Sequence, residues 1–269
     1  MSILLMAAGA FAAEPPPKID APIDTRADRA VDAAVVIGNE EYAFLPPVGF
    51  ALRDAEAVYQ TFLLSMGIPA ENVAHLKGAN REQIVEALSS ASAQVGEGGR
   101  VWVYFAGHGA ASPSTGELML VGDDAKRQPD VFTSRSVPIS ELTETVDAPV
   151  TFILDTCYAG YGRSGEQLLT DTRFTVADYD AVAEDDAVTL WTAANPDQVS
   201  GPYAAARHGL FTYLAVGAMR GWADGALGEK ADGTVTLEEA QAYVTASLAT
   251  LQVTTQTPAL TTSEQGLVL

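Results

Sequence analysis

Two short polar loops, each following an apolar run, contain the residues best suited to nucleophilic chemistry. The first is Ala106-Gly107-His108-Gly109, and the second contains Cys157, the only cysteine in the chain, 49 positions after His108. A thiolate attacks carbonyl carbon, but a free cysteine has a pKa of about 8.5 and is mostly protonated at neutral pH. A histidine beside it can accept that proton and later return it to the leaving group. The pair therefore predicts covalent catalysis by a thiol.

The apolar runs before these loops, 100–105 and 151–154, predict two strands of a parallel sheet that is buried on both faces. In open α/β sheets, ligands and catalytic residues gather where strands end. Neighbouring strands lie about 4.8 Å apart, so the two loops can bring an imidazole beside a thiol. Alone, such a cysteine is more often inert and buried, and a loop histidine more often structural. Their pairing favours catalysis, with the amides of Gly109 and Cys157 as the expected oxyanion hole.

The rest of residues 33–269 alternates strand and helix patterns, which predicts a mostly parallel sheet with helices on both faces. Residues 160–186 are polar and rich in Gly and Asp, which indicates a mobile loop rather than a core element. The further strands are predicted at 33–38, 73–76, 117–122 and 187–194, and the helices at 50–64, 81–95, 138–146, 208–220 and 236–251.

The N-terminal 32 residues have a different composition. Residues 1–13 are apolar and contain Ala10-Phe11-Ala12, which matches the A-x-A pattern of a secretory cleavage site, although no Lys or Arg precedes the run. We interpret them as a signal peptide, too short to span a bilayer, and expect a periplasmic or extracellular protein. The alternative is a cytoplasmic protein with a disordered tail. Residues 14–32 contain four prolines and are expected to form a linker.

The composition limits the class of partner. The chain has 269 residues and 48% hydrophobic content, enough for one large α/β domain. Its 35 acidic and 15 basic side chains give a formal charge of −20, which disfavours nucleic acid and anionic membranes. A peptide or protein substrate with basic residues would be attracted. No apolar segment is long enough to span a membrane.

Several features together resemble the caspase-like cysteine peptidases. These are the order His then Cys, a spacing close to the roughly 50 residues typical of caspases, and the Gly-His-Gly loop. The cysteine loop, Asp-Thr-Cys-Tyr-Ala-Gly at 155–160, is most similar to the Asp-Ser-Cys-His-Ser-Gly loop of metacaspases and their bacterial relatives. It departs from that loop at Thr156, Tyr158 and Ala159. The resemblance begins near residue 32, extends to the C-terminus, and includes 52–55, 192–198 and 208–212.

The resemblance implies an α/β fold, namely a caspase-like three-layer sandwich over 33–269. It also implies that Cys157 is the nucleophile and His108 the general acid–base of an endopeptidase. Asp155 lies two residues before the cysteine, so the period-two geometry of a strand places it on the same side. A carboxylate there suits a substrate Arg or Lys. In metacaspases the matching aspartate, with one at the position of Asp54, lines the S1 pocket. We therefore expect cleavage after Arg or Lys.

Other interpretations of these residues stay open. Asp54 could be a helix-start carboxylate that interacts with the helix dipole, and Asp155 a strand-end cap. Fold alone does not exclude a non-catalytic caspase-like interaction module. A related peptidase of the legumain or clostripain type, with a different preference for the residue before the cut, is the other alternative. If the Arg or Lys specificity holds, Arg163 and Arg173 are candidate self-cleavage sites.

We predict no metal site and no cofactor. Residues 228–239 imitate an EF-hand loop, but Gly228 and Lys230 occupy two positions where carboxylates belong. The stretch is better explained as a turn into the last helix. Some metacaspases need calcium, so calcium activation stays open without a clear site to support it. His75 and His208 are expected to be structural.

Overall fold

A six-stranded sheet forms the centre of the computed structural model, which describes residues 17–21, 23–162, 165–169, 187–228 and 230–269. Five neighbouring strands are parallel, and one edge strand of this sheet runs antiparallel to its neighbour. In spatial order the strands are β11 (Ala259–Thr261), β8 (Val188–Thr192), β7 (Val150–Asp155), β3 (Val101–Ala106), β1 (Ala33–Gly38) and β2 (Val73–Lys77).

Helices cover both faces of this sheet. One face packs against α1 (Ala51–Leu64), α5 (Leu210–Gly217) and α6 (Leu237–Thr250), and the other against α2 (Arg81–Gln94) and α4 (Ile139–Glu144). Alternate residues of each central strand enter different cores. In β3, for example, Trp102 and Tyr104 face α1, whereas Val103 faces α2. The predicted three-layer α/β sandwich is confirmed.

Smaller elements lie beyond the ends of the central strands. A three-stranded antiparallel sheet combines β4 (Gly109–Ala111), β5 (Leu118–Val121) and β6 (Ser136–Pro138). Helix α3 (Pro129–Ser134) precedes β6, and β9 (Pro202–Tyr203) pairs with β10 (His208–Gly209) just before α5. The sequence patterns predicted only β5 among these, because it is a continuous apolar run, whereas the others are short and contain no such run.

Two stretches that were expected to form a linker and a loop contribute buried side chains to the domain. The described part of the proposed linker packs on the domain: Ile19 is fully buried, and the Asp32 side chain accepts hydrogen bonds from the Arg100 amide and the Trp102 indole. Likewise, Leu168 and Leu169 are fully buried in the core, although 160–186 was expected to contribute no core element. Both stretches contain few apolar residues among many polar ones, so their composition did not predict that any side chain would be buried. Residues 1–16, which include the proposed signal peptide, lie outside the described residues.

The start of α6 explains the EF-hand-like stretch. Thr236 and Glu239 form a reciprocal capping box at the helix start. Before it, the Asp224 carboxylate accepts the amides of Asp232 and Gly233, so these groups organise a turn. Within the ranges that the structure describes, no group of three His, Cys, Asp or Glu residues is arranged to hold a metal ion. In the same ranges, no helix is long and apolar enough to cross a membrane.

Candidate active site

His108 and Cys157 lie beyond the carboxyl ends of two adjacent strands. β3 and β7 are parallel, and their last paired residues are Ala106 and Asp155. His108 follows Ala106 by two positions, and Cys157 follows Asp155 by two positions. The register therefore brings the two loops to the same edge of the sheet, as the sequence predicted.

The two loops pack directly against each other at Gly109. A Cβ atom added to Gly109 would lie 3.0 Å from Thr156 Cβ and 3.1 Å from the Cys157 carbonyl oxygen. The Ala111 amide donates to the Tyr158 carbonyl at 3.3 Å. A side chain at position 109 would therefore push the histidine loop away from the cysteine loop, which explains why glycine follows His108.

The direction of the Gly109 amide follows from the pairing of β4 with β5. The Val121 amide donates to the His108 carbonyl at 3.0 Å, which makes these two residues a hydrogen-bonded pair. In an antiparallel ladder, the N–H groups of successive residues point alternately toward and away from the partner strand. The next amide, that of Gly109, therefore points away from β5. Ala111 is two residues further along β4, so its amide points in the same direction as that of Gly109, and it reaches the cysteine loop. The Gly109 N–H is thus directed to the side on which the cysteine loop lies.

Contacts from the loop after β1 fix the imidazole of His108, which is only 3% exposed. Nε2 lies 2.7 Å from the carbonyl oxygen of Pro46, which can only accept, so Nε2 carries the proton in this hydrogen bond. The Tyr42 ring packs on the imidazole with centroids 4.6 Å apart, and its hydroxyl accepts the His108 amide at 2.8 Å. This tautomer leaves Nδ1 as the basic nitrogen of the ring.

Ser200, in the loop after β8, covers the thiol. Its amide N–H donates to Cys157 Sγ at 2.9 Å, and Sγ lies 3.7 Å from the Ser200 carbonyl oxygen. Cys157 is only 4% exposed, and Ser200 is fully buried. The strand at 187–194 was predicted to bring its following loop to this edge of the sheet, and it does.

Asp155, at the end of β7, is fully buried and held by hydroxyl groups. Its Oδ1 accepts the Ser200 hydroxyl at 2.7 Å, and its Oδ2 accepts the Thr212 hydroxyl at 2.6 Å. Tyr104 in turn donates its hydroxyl to Thr212 Oγ1 at 2.7 Å. Asp155 therefore points to the face of the sheet that α5 covers, and Ser200 links it to the thiol.

Asp54, in the first turn of α1, is also fully buried. Its Oδ1 accepts Nδ1–H of His208 at 2.8 Å, and its two oxygens lie 3.1 and 2.9 Å from the Gly209 amide nitrogen. Gly209 precedes α5, whose third residue, Thr212, binds Asp155. Both candidate pocket carboxylates therefore accept hydrogen bonds from the start of α5.

Sequence reasoning missed several residues that organise this site. Tyr42, Pro46 and Ser200 come from loops that follow β1 and β8, so their position after strand ends was the only available signal. His208 and Thr212 lie in a stretch whose family resemblance was noted; His208 was expected to be structural, and Thr212 was given no role. Arg163 and Arg173 lie outside the described residues.

A parallel α/β sheet with a histidine loop and a cysteine loop at adjacent strand ends is an architecture found among cysteine peptidases. A family model, that of the caspase domain, matches residues 31–266. The chain therefore belongs to the caspase-domain family. None of the curated proteins compared with the chain matches it.

Solved structures agree on the fold. A protein from Geobacter sulfurreducens superposes with a TM-score of 0.59 at 16% identity, covering 88% of this chain and 99% of its own. Caspase-1 from Spodoptera frugiperda superposes with a TM-score of 0.53 at 15% identity, covering 95% of this chain and 94% of its own. At these identities the likeness establishes the fold and not the specificity.

Proposed function

We propose that the protein is a metacaspase-like cysteine endopeptidase that cuts after Arg or Lys, with Cys157 as nucleophile and His108 as general acid–base. The observation that carries the proposal is that His108 and Cys157 each follow, by two positions, the paired last residues of two adjacent parallel strands. The hydrogen bond to Pro46 sets the tautomer of His108. A thiol and a basic Nδ1 on facing loops are what thioacyl chemistry requires.

In the proposed reaction, His108 Nδ1 takes the thiol proton and the thiolate attacks the carbonyl carbon of the scissile bond. The amides of Gly109 and Cys157 stabilise the tetrahedral oxyanion. Collapse of this intermediate breaks the C–N bond, and the imidazolium protonates the departing amine. Water, deprotonated by His108, then attacks the thioacyl carbon and releases the acid and the free thiol.

Asp54 and Asp155 are the proposed S1 carboxylates. Guanidinium and ammonium groups form strong charge-assisted hydrogen bonds with carboxylates, and this favours Arg or Lys before the cut. The charge of −20 also favours basic substrates over nucleic acid. Cleavage at Arg163 or Arg173 in the chain itself follows from the same specificity, and the export signal would place the activity outside the cytoplasm.

The low exposure of Cys157 and His108 favours the second candidate, a caspase-like module that binds partners without catalysis. A buried thiol is the usual state of an inert cysteine. Catalysis is supported by the hydrogen bond of His108 Nε2 to Pro46 and by the packing of Gly109 on the cysteine loop. Activity measurements separate the two candidates.

The experiment uses fluorogenic peptides ending in Arg, Lys, Asn or Asp, with and without calcium. Wild type is compared with Cys157→Ala, His108→Ala and the control His75→Gln, which changes a histidine outside the site. We expect turnover of Arg and Lys peptides by wild type and control alone. Turnover of Asn peptides would indicate the legumain type, and turnover of Asp peptides alone would remove the pocket roles of both carboxylates. No turnover under any condition would favour the binding module.

A further inference from the structure

The side chain of Asp20, in the segment before β1, pairs with a cation next to the proposed S1 pocket. Its Oδ1 accepts Arg53 Nε–H at 2.8 Å, and its Oδ2 accepts Arg53 Nη2–H at 2.7 Å. This two-point pairing is the strong geometry for guanidinium and carboxylate. The hydrogen bonds with Arg53 lower the pKa of Asp20, and the same pairing raises the pKa of Arg53.

Asp20 also reaches the histidine that binds Asp54. Its Oδ1 lies 3.3 Å from His208 Nε2, and the other ring nitrogen, Nδ1, lies 2.8 Å from Asp54 Oδ1. Arg53 and Asp54 are neighbours in α1. The four side chains therefore form one cluster, in which the charge of Arg53 is the only fixed positive charge.

The backbone holds Asp20 in this cluster independently of its ion pair. Ile19 is fully buried, and the Tyr213 hydroxyl donates to the Pro17 carbonyl at 3.0 Å. On the other side, Arg220 Nη1 donates to the Ala21 carbonyl at 2.8 Å. Replacing the carboxylate by an amide of the same shape should therefore change the charge and leave the segment in place.

We propose that Asp20 determines specificity as a positioning residue: it neutralises Arg53, so that a basic substrate side chain approaching Asp54 meets no unpaired positive charge. This inference rests on the proposed role of Asp54 in the S1 pocket. Without Asp20, the unpaired guanidinium of Arg53 would repel the incoming Arg or Lys.

The size of the effect follows from Coulomb's law. Arg53 is about one-third exposed, so water screens it strongly. At effective dielectric constants between about 20, typical near a protein surface, and about 80, that of water, a nearby unit charge of this kind changes binding on the order of fivefold. Salt would reduce that factor further.

The test compares kcat/KM for two peptides that end in Arg or in citrulline, its uncharged analogue of nearly the same shape. We expect Asp20→Asn to lower the Arg-to-citrulline ratio about fivefold and Arg53→Gln to raise it. The double variant should return to the wild-type ratio, and the effects should shrink in high salt. Asp28→Asn, which removes an exposed charge from the same segment, should leave the ratio unchanged.

Three results would overturn the inference. They are an unchanged ratio in Asp20→Asn, a fall in the ratio in Arg53→Gln, and a double variant that resembles Asp20→Asn alone. A partly unfolded variant would lose activity on both peptides equally, so the ratio separates charge from folding. Failure of the proposed function looks different, because wild type would then cut no Arg peptide at all.

Discussion

The hydroxyl of Ser200 provides a direct test of how the candidate nucleophile becomes accessible. Cys157 is almost fully buried, and Ser200 covers it while donating its hydroxyl to Asp155 at 2.7 Å. A reagent or peptide can reach Sγ only when this loop opens. Ser200→Ala removes the hydroxyl that links the loop to Asp155 and leaves the Ser200 backbone in place.

The expected magnitude follows from the strength of this hydrogen bond. A bond to a charged group contributes about 1.5 to 3 kcal/mol, and about 1.4 kcal/mol corresponds to a factor of ten in an equilibrium. In the open state water solvates the Asp155 carboxylate, so the bond stabilises mainly the closed state. We expect Ser200→Ala to raise the open population at least about tenfold.

The assay is the rate of alkylation by iodoacetamide, followed by mass spectrometry. Because Cys157 is the only cysteine, a single mass shift reports one site. When opening is fast relative to alkylation, the rate is proportional to the open population. Ser136→Ala is the matched control, since Ser136 is also fully buried and donates to a backbone carbonyl, that of Phe132. Equal rates in wild type, Ser200→Ala and control would refute the role of the Ser200 hydroxyl in holding this loop closed over Cys157.

Three further predictions concern stability, measured by urea unfolding. Thr212→Val should cost about 1.5 to 3 kcal/mol because it removes the hydroxyl bound to Asp155, whereas Thr212→Ser, which keeps it, should cost about 1 kcal/mol; equal costs would contradict this. Burial lowers the pKa of His75, so protonation favours the unfolded state, and wild type should lose stability relative to His75→Gln as pH falls below about 6.5. Gly217→Ala should cost about 1 to 3 kcal/mol, because its Cβ would lie 1.9 Å from the Trp222 ring; a near-neutral result would show that the ring moves freely.

The sheet was predictable because its strands are long apolar runs separated by amphipathic helices. The strand at 33–38 was predicted with its observed bounds, and most other long elements differ by one or two residues at an end. The helix predicted at 208–220 is divided, since His208 and Gly209 pair in a short hairpin and α5 begins at Leu210. The predicted helix contains apolar residues both before and after the point where α5 begins, so the spacing of apolar residues alone could not locate the start of α5.

The candidate site was predictable only where chemistry and strand ends coincide. His108 and Cys157 each follow a strong strand within three residues, so local patterns located both. Pro46 acts through its carbonyl oxygen, which any residue carries, and Asp20 acts across 33 positions of sequence on Arg53. No local pattern reports such contacts, because they depend on how the loops fold over the sheet.

The start of α5 explains how two carboxylates can be buried near each other. Gly209 and Thr212 offer amide N–H groups there to Asp54 and Asp155 respectively, and the N-terminal end of a helix carries partial positive charge. Partial charges and hydroxyl groups stabilise a carboxylate without cancelling its full charge. In the proposed pocket, a basic substrate side chain would therefore meet two negative charges, and a neutral one would leave them uncompensated. The proposed preference for Arg and Lys thus depends on where α5 begins as much as on the cysteine loop.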